Sequence, residues 1–202
     1  MQNELENRIE FEKLIAGMST SFVKLGPGQV GQGIDRTLKE IGMLTGADRS
    51  YLFLLSEDGS GMSNTHEWCA MGIRPQMPNL QDIPVTDLPW IMVRLLLYKD
   101  VYIPDTAGLP PEARTEKENF FARGIKSLVA VPLVYNNLVY GFLGLDSVRC
   151  RKKWSEETIK LVRMAGEIFI NALFRSRAEK GLRTKNEELL STILQYARAR
   201  EE

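Results

Sequence analysis

Between Ser127 and Val162 the chain reads SLVAVPLVYNNLVYGFLGLDSVRCRKKWSEETIKLV, and this stretch restricts the fold more than any other. Two runs, Ser127 to Tyr135 and Leu138 to Val148, are rich in Val, Leu, Tyr and Phe and are joined by Asn136-Asn137. Asn tolerates the positive φ of a tight hairpin turn, so the pair predicts two antiparallel strands. The second run ends in a charged loop. Ser155 then stands where a helix N-cap belongs, with Glu156 and Glu157 in the first turn, where the helix dipole favours negative charge. A hairpin that delivers directly into a capped amphipathic helix is the expectation.

The rest of the chain extends this pattern. Phe11, Leu14, Ile15, Met18, Phe22 and Leu25 recur three and four apart, which predicts a helix ending near Gly26-Pro27-Gly28. Val30, Ile34, Leu38, Ile41 and Leu44 predict a second helix, with Gly46 placed to cap its end. Tyr51 to Leu55 is an apolar run bounded by Asp48-Arg49 and a Gly-Ser-rich loop, the pattern of a strand buried on both faces. If Met62 to Cys69 is a regular strand, Met62, Asn64, His66 and Trp68 share one face and Ser63, Thr65, Glu67 and Cys69 the other.

Met71 to Val85 contains Pro75, Pro78 and Pro84, which argues for a long ordered loop and a candidate pocket wall. Thr86 to Tyr98 reads as a short helix with Pro89 in its first turn, apolar nearly all round and so expected to be buried on more than one side. Val101-Tyr102-Ile103 is a short strand stopped by Pro104. Pro110-Pro111 then opens a charged helix that closes at Gly124. Few strands are separated by parallel crossovers, so a mainly antiparallel α+β sheet with helices on both faces is the natural assembly.

Composition sets the outer bounds. A chain of 202 residues with 44% hydrophobic and 26% charged residues fits one soluble domain plus an extension. Net charge is zero, which gives no electrostatic reason to expect nucleic acid or a membrane surface as partner. No apolar run is long enough to span a bilayer and the chain does not open like a signal peptide, so a cytoplasmic location is expected. Cys69 and Cys150, far apart and in different predicted elements, point to a reduced compartment rather than a disulfide.

The wording of the opening stretch carries a resemblance. A small hydrophobic strand containing Pro132, then GFLGLDS, a basic loop and W-S-E-E resemble the second half of a GAF sensor domain, and the element order from about residue 5 to 175 is similar to that fold throughout. The resemblance implies a central antiparallel sheet of GAF/PAS-like kind, with the terminal helices on one face. Loops and short helices on the other face would enclose a small-molecule pocket.

The final helix shows two apolar stripes: Ile159, Val162, Gly166, Phe169 and Leu173, and beside them Leu161, Ala165, Ile168 and Ala172. One stripe can pack on the sheet, and the second calls for another partner. Its heptad continuation runs through Arg175, Glu179, Leu182, Asn186, Leu189, Ile193 and Tyr196, polar in the middle and apolar again late. A homodimer through the N- and C-terminal helices is expected, a single solvated helix being the alternative. Residues 1–175 read as the sensor domain and 176–202 as a helical linker toward a covalently attached output domain.

Few constellations carry chemistry. His66 is the only histidine, so a histidine-based metal site or a Ser-His-acid triad is improbable. His66 and Trp68 on one strand face can stack on and hydrogen-bond to a ligand; a half-buried histidine beside a core tryptophan is the plainer alternative. Neither Gly26-Pro27-Gly28 nor Gly31-Gln32-Gly33 follows a strand or carries Lys-Ser/Thr, which excludes a phosphate cradle. Cys150 lies among Arg149, Arg151, Lys152 and Lys153, whose charge favours a thiolate, yet an exposed thiol in a solvated basic loop is the preferred reading over a redox role.

Comparison within the resemblance narrows the ligand by exclusion. The Asn-Lys, Phe, Asp-Glu pattern of cyclic-nucleotide-binding relatives has no place here. Bilin-binding relatives use a Cys usually followed by His, whereas Cys69 precedes Ala70. Free methionine sulfoxide reductases cluster their cysteines at the pocket, and here the two are in unrelated positions. On position, the ligand-binding candidates are His66, Trp68, Trp90, Tyr102, Asp105, Phe121 and Phe142. The residues name no cofactor. The expected function is a non-catalytic sensor that binds a small molecule and signals to a histidine kinase, diguanylate cyclase or similar output. A thiol enzyme of the methionine sulfoxide reductase kind and a purely structural dimerisation module are the alternatives.

Overall fold

A computed structural model of the protein describes the backbone of residues 2–198, with side chains at 9–193 and 195; the Tyr196 side chain of the expected seam and residues 199–202 lie outside them. Two helices come first, α1 (Gln2–Lys24) and α2 (Val30–Thr45). β1 (Arg49–Leu55) and β2 (Gly61–Cys69) form a hairpin, and the two-residue β3 (Ile83–Pro84) pairs with the start of β2. α3 (Pro89–Leu96), β4 (Val101–Ile103) and α4 (Arg114–Ala122) follow. The chain closes with β5 (Ser127–Tyr135), β6 (Leu138–Ser147) and α5 (Glu156–Arg198).

The six strands form one antiparallel sheet in the order β3-β2-β1-β6-β5-β4. α1, α2 and α5 cover one face, where Phe22, Ile34, Leu38, Leu143, Leu161 and Phe169 share a core. α3, α4 and the loop after β2 cover the other, around Phe53, Ile91, Leu95, Phe120 and Phe142. β1 therefore serves both cores, Leu52 facing the terminal helices and Phe53 the opposite layer. This is the α+β arrangement that the element order calls for.

Local chemistry accounts for the hairpin and the helix start. Asn136 and Asn137 take φ of 48° and 61°, the left-handed values a two-residue hairpin turn needs. Pro132 is tolerated inside β5 because β4 pairs only with Leu128 to Ala130, so β5 has no second neighbour at Pro132. Ser155 caps α5, its Oγ accepting the Thr158 N–H at 3.3 Å.

Two expectations about helices are corrected. α3 is not buried on several sides: Ile91, Met92 and Leu95 are buried, while Val93 and Leu96 are exposed. Its two turns lie on the outside of the layer, so only one side meets other elements. Nor does the second stripe of α5 await another molecule. Leu161, Ala165 and Ala172 are buried within this chain's own core, because α1 returns across α5 and covers them. Arg175 Nη2 donates to the carbonyls of Phe22 and Leu25 at 2.5 and 3.3 Å, and Ser176 Oγ to that of Pro27 at 2.8 Å, which pins the end of α1 to α5. Beyond them Leu182, Leu189, Leu190 and Ile193 are exposed.

α3 has no side-chain cap of its own, because Leu88 stands at its N-cap. The cap comes from α4: fully buried Glu116 accepts the N–H groups of Trp90 and Ile91 through Oε1, at 2.6 and 3.3 Å. A carboxylate on two helix N-terminal donors is a charge-assisted contact. Glu116→Ala is expected to destabilise the protein by about 2 kcal/mol in urea unfolding. A loss below half of that would remove the long-range cap from the forces holding α3.

Candidate functional site

Beneath the loop after β2, the sheet face opposite the terminal helices holds a small chamber. Its polar end is built by strands that the chain order separates widely: Arg49 on β1 and Asp146 on β6 are register partners, and Arg49 Nε donates to both Asp146 oxygens at 3.0 and 3.1 Å. Tyr51, Asn64, Glu67 and Arg123 complete that end, and Phe53, Ile91, Phe120, Leu128, Ala130 and Phe142 form the apolar walls. Phe53 and Phe142, also register partners, stack with centroids 4.7 Å apart. The space open to the centres of water-sized molecules is about 40 Å³, room for about three waters.

The loop is latched by Glu67. Its Oε2 accepts the N–H groups of Gln76 and Met77 at 2.8 and 3.0 Å, and Gln76 and Leu80 thereby enter the chamber wall. Two glycines of GFLGLDS shape the floor. A Cβ on Gly141 would lie 1.9 Å from the Phe53 carbonyl oxygen, and one on Gly144 would lie 2.3 Å from the Tyr51 ring. The bare backbone at these positions lets β6 and the Tyr51 ring approach closely.

Burial dominates the electrostatics. It pushes the Asp146 carboxyl up to about 6 against the pull of Arg49, with Glu67 and Asp48 adding to the rise. Burial also opposes the charge on Arg49, but Asp146 beside it prevails and holds the guanidinium above its ordinary value. The two senses are compatible: Arg49 stays charged in either state of Asp146, while Asp146 has one partner and two neighbouring carboxylates. Burial, followed by the Asp146 charge, keeps Tyr51 a neutral phenol. It pushes the Cys69 thiol up to about 12, with Glu67 adding to the effect. Asp48 goes the other way. Burial raises it, but the N–H groups of Arg149 and Val148 and the Ser147 hydroxyl together outweigh burial and hold it below its ordinary value.

Of the seven candidates named from position, the structure brings Phe142 alone to this chamber. His66 and Trp68 are turned away by a β-bulge, which corrects the strict alternation expected for β2. Leu52 pairs with His66 but Phe53 with Asn64, so Thr65 is the extra residue and every side chain after it changes face. Met62 and Asn64, then Glu67, face the chamber layer. Trp68 instead packs against α2, where a Cβ on Gly42 would lie 2.2 Å from its ring, and His66 lies beside Gly31 with Nδ1 3.0 Å from Thr65 Oγ1. Burial lowers the His66 pKa, against an opposing effect of Asp35.

Trp90 packs on the edge of the same layer with the Arg94 guanidinium 3.4 Å above its ring, outside the chamber lining. Tyr102 points outward from β4. Asp105 and the exposed Phe121 line a separate open groove with Lys117, Lys126 and Arg151, and Asp105 is paired to Arg151 at 3.1 Å. Sequence reasoning missed Arg49, Tyr51, Asn64, Glu67, Arg123 and Asp146. One signal was available for two of them: a charged residue at the end of an apolar strand run occurs both at Arg49 and at Asp146, a pattern that calls for mutual pairing.

A family model of the GAF domain matches residues 31–173. The methanogenesis regulatory histidine kinase FilI of Methanothrix harundinacea (strain 6Ac) is 28% identical over 184 residues, which is 89% of this chain and 20% of that protein. This chain thus spans a fifth of that relative's length. Among solved structures, the chromophore-binding domain of the bacteriophytochrome RpBphP3 from R. palustris has a TM-score of 0.71 at 15% identity, over 86% of this chain and 63% of that one. The phycoerythrobilin-bound GAF domain from a cyanobacterial phytochrome also has a TM-score of 0.71, at 19% identity, over 84% of this chain and 97% of that one. At such identities the structures share the fold.

The raised pKa of Asp146 means that the folded protein binds this proton more tightly than the unfolded chain does. Its favourable contribution is complete below the ordinary value of 3.8 and is lost as the pH rises through about 6. The ¹³C carboxyl resonance of Asp146 should therefore titrate with a midpoint near pH 6. A midpoint at or below 4 would show that Arg49 outweighs burial.

Proposed function

Because this chain belongs to the GAF domain family, we propose that it is the sensory part of a longer signalling protein, binding a small molecule in the chamber and signalling through α5 to an attached output domain. One observation carries the reading: the chamber and α5 lie on opposite faces of the same strands. Leu128, Ala130 and Phe142 of β5 and β6 line the chamber, while Val131, Leu133 and Leu143 from the same strands pack beneath α5, where a Cβ on Gly166 would meet Leu133 at 3.0 Å. A ligand that shifts these strands must repack α5, since a close-packed layer transmits displacement rather than absorbing it. The Arg163–Asp100 ion pair gives α5 a second tie, to the residue before β4.

The domain division proposed is 1–175 for the sensor and 176–202 for the linker, because Arg175 and Ser176 bond to the Phe22 and Pro27 carbonyls at and just after the end of α1, and the side chains of α5 from 177 to 193 are exposed. The similarity to a segment of a histidine kinase supports such a kinase as the output, within a two-component system. A diguanylate cyclase is the next choice. The location proposed is cytoplasmic; among the described residues no helix is long and apolar enough to cross a membrane. Of the seven candidates only Phe142, in the chamber wall, is kept as a proposed ligand contact; His66 and Trp68 lie on the α2 side, Tyr102 points outward, Asp105 and Phe121 line the separate groove, and Trp90 lies outside the lining.

A bilin is not the ligand proposed, since the chamber has room for about three waters and Cys69 precedes Ala70. The reading is also non-catalytic. A thiol enzyme needs a thiolate, and Cys69, pushed up to about 12, stays protonated at neutral pH. A homodimer is proposed through the exposed Leu182, Leu189 and Ile193, which keep heptad spacing where α5 extends past the sheet, with α1 alongside.

Two measurements test these points. In the full-length protein, Ala130→Leu fills the chamber, and the output should lose its ligand response while the domain still folds; an undiminished response places the ligand elsewhere. In sedimentation, this chain should be dimeric at low micromolar concentration and the Leu189→Glu, Ile193→Glu variant monomeric with an unchanged melting profile. A monomeric parent chain removes the helical seam.

A further inference from the structure

The sensing reading leaves the chemistry of the ligand open, and this inference rests on that reading. Two guanidinium groups line the chamber. Arg49 is 2% exposed and spends Nε on Asp146, yet its buried Nη2 has no hydrogen-bond partner. A buried charged donor without an acceptor is an unstable arrangement unless something in the cavity supplies one. Arg123, half-buried after α4, makes no ion pair among the described residues, and burial lowers its pKa.

The acidic groups in the same lining are differently placed. Asp146 gives both oxygens to Arg49, and Glu67 gives Oε2 to two backbone N–H groups of the loop while its Oε1 accepts from Asn64 Nδ2 at 3.4 Å. The unspent hydrogen-bonding capacity of the chamber is thus mainly cationic donor, which selects an acceptor with negative charge. The remaining wall is apolar, dominated by the stacked Phe53 and Phe142 with Phe120 and Leu128. A ligand must therefore combine an anionic head with an apolar body. The space, about three waters for head and body together, limits the ligand to a few non-hydrogen atoms.

We propose that the chamber takes a short-chain monocarboxylate of about two or three carbons, its carboxylate held by Arg49 Nη2 and Arg123 and its alkyl end against Phe53 and Phe142. A guanidinium matches a carboxylate in plane and in donor spacing, which a halide or an amide does not reproduce. The Asp146 contact keeps the Arg49 side chain oriented before the ligand arrives, so less ordering accompanies binding.

The test uses the whole chain with ¹⁵N-labelled arginine, titrated at constant ionic strength with acetate, propionate and butyrate. Acetamide, propionamide and butyramide, the matching primary amines and chloride serve as the comparison probes. The carboxylates should shift the Arg49 Nε–H resonance saturably and tighten with chain length until the chamber is full. Arg123→Gln should weaken propionate by about tenfold or more with the unliganded melting profile kept, and in Arg49→Lys propionate should no longer shift the Arg123 Nε–H resonance. Equal shifts from the amides, the amines or chloride would overturn the carboxylate assignment and leave the sensing chamber standing. If no probe of any class moves these resonances, the carboxylate assignment falls, while the sensing reading stands or falls separately on the Ala130→Leu response.

Discussion

The Arg49–Asp146 pair ties the first strand in the chain to the last, neighbours at the centre of the sheet, where both faces are covered. Its worth lies less in net stability than in register. A buried ion pair gains little over well-packed apolar residues, but breaking it by removing one partner leaves an uncompensated charge, at a cost of about 3–5 kcal/mol. A slip of β1 against β6 by a single residue would do the same and would turn Leu52 and Phe53 to the wrong cores. The pair therefore selects one alignment, and with it the Phe53–Phe142 stack and the polar end of the chamber.

Around that alignment, backbone irregularities decide where side chains go. The bulge at Thr65 lets one strand serve two purposes: its first half sends Met62 and Asn64 to the chamber layer, and its second sends Glu67 there and Trp68 to α2. Were Thr65 paired in a regular strand instead of bulged, Glu67 would face α2, and the loop from Ala70 to Asp82 would lose its latch. Gly141 and Gly144 act in the same way on β6, trading side chains for close approach.

α5 gives the fold its asymmetry. Its first half is as buried as any core helix, with Leu161, Val162, Ala165 and Phe169 fully enclosed, while its second half carries apolar residues in the open. The join falls where Arg175 and Ser176 grip the end of α1. A helix continuous across this join has no hinge of its own, so a change in how it seats on the sheet alters the position of everything beyond it. That mechanical continuity is what makes a sensing role physically reasonable for a domain with so small a chamber.

The sequence alone was enough for features whose causes are local. The Asn136-Asn137 turn, the Ser155 cap, the end of α2 at Gly46 and the order of helices and strands, apart from the two-residue β3 in the expected loop, all follow from residues within a few positions of one another. Tertiary structure decided what depends on residues far apart in the chain. Arg49 and Asp146 are separated by 97 positions, and Glu116 caps a helix 26 positions earlier. The cover over the second stripe of α5 comes from α1, at the other end of the domain. Periodicity shows that a stripe needs a partner, and it cannot say whether the partner lies in the same chain, because hydrophobic burial has no direction. His66 and Trp68 were placed by an unbroken two-residue repeat in β2, and the bulge at Thr65 exchanged their faces.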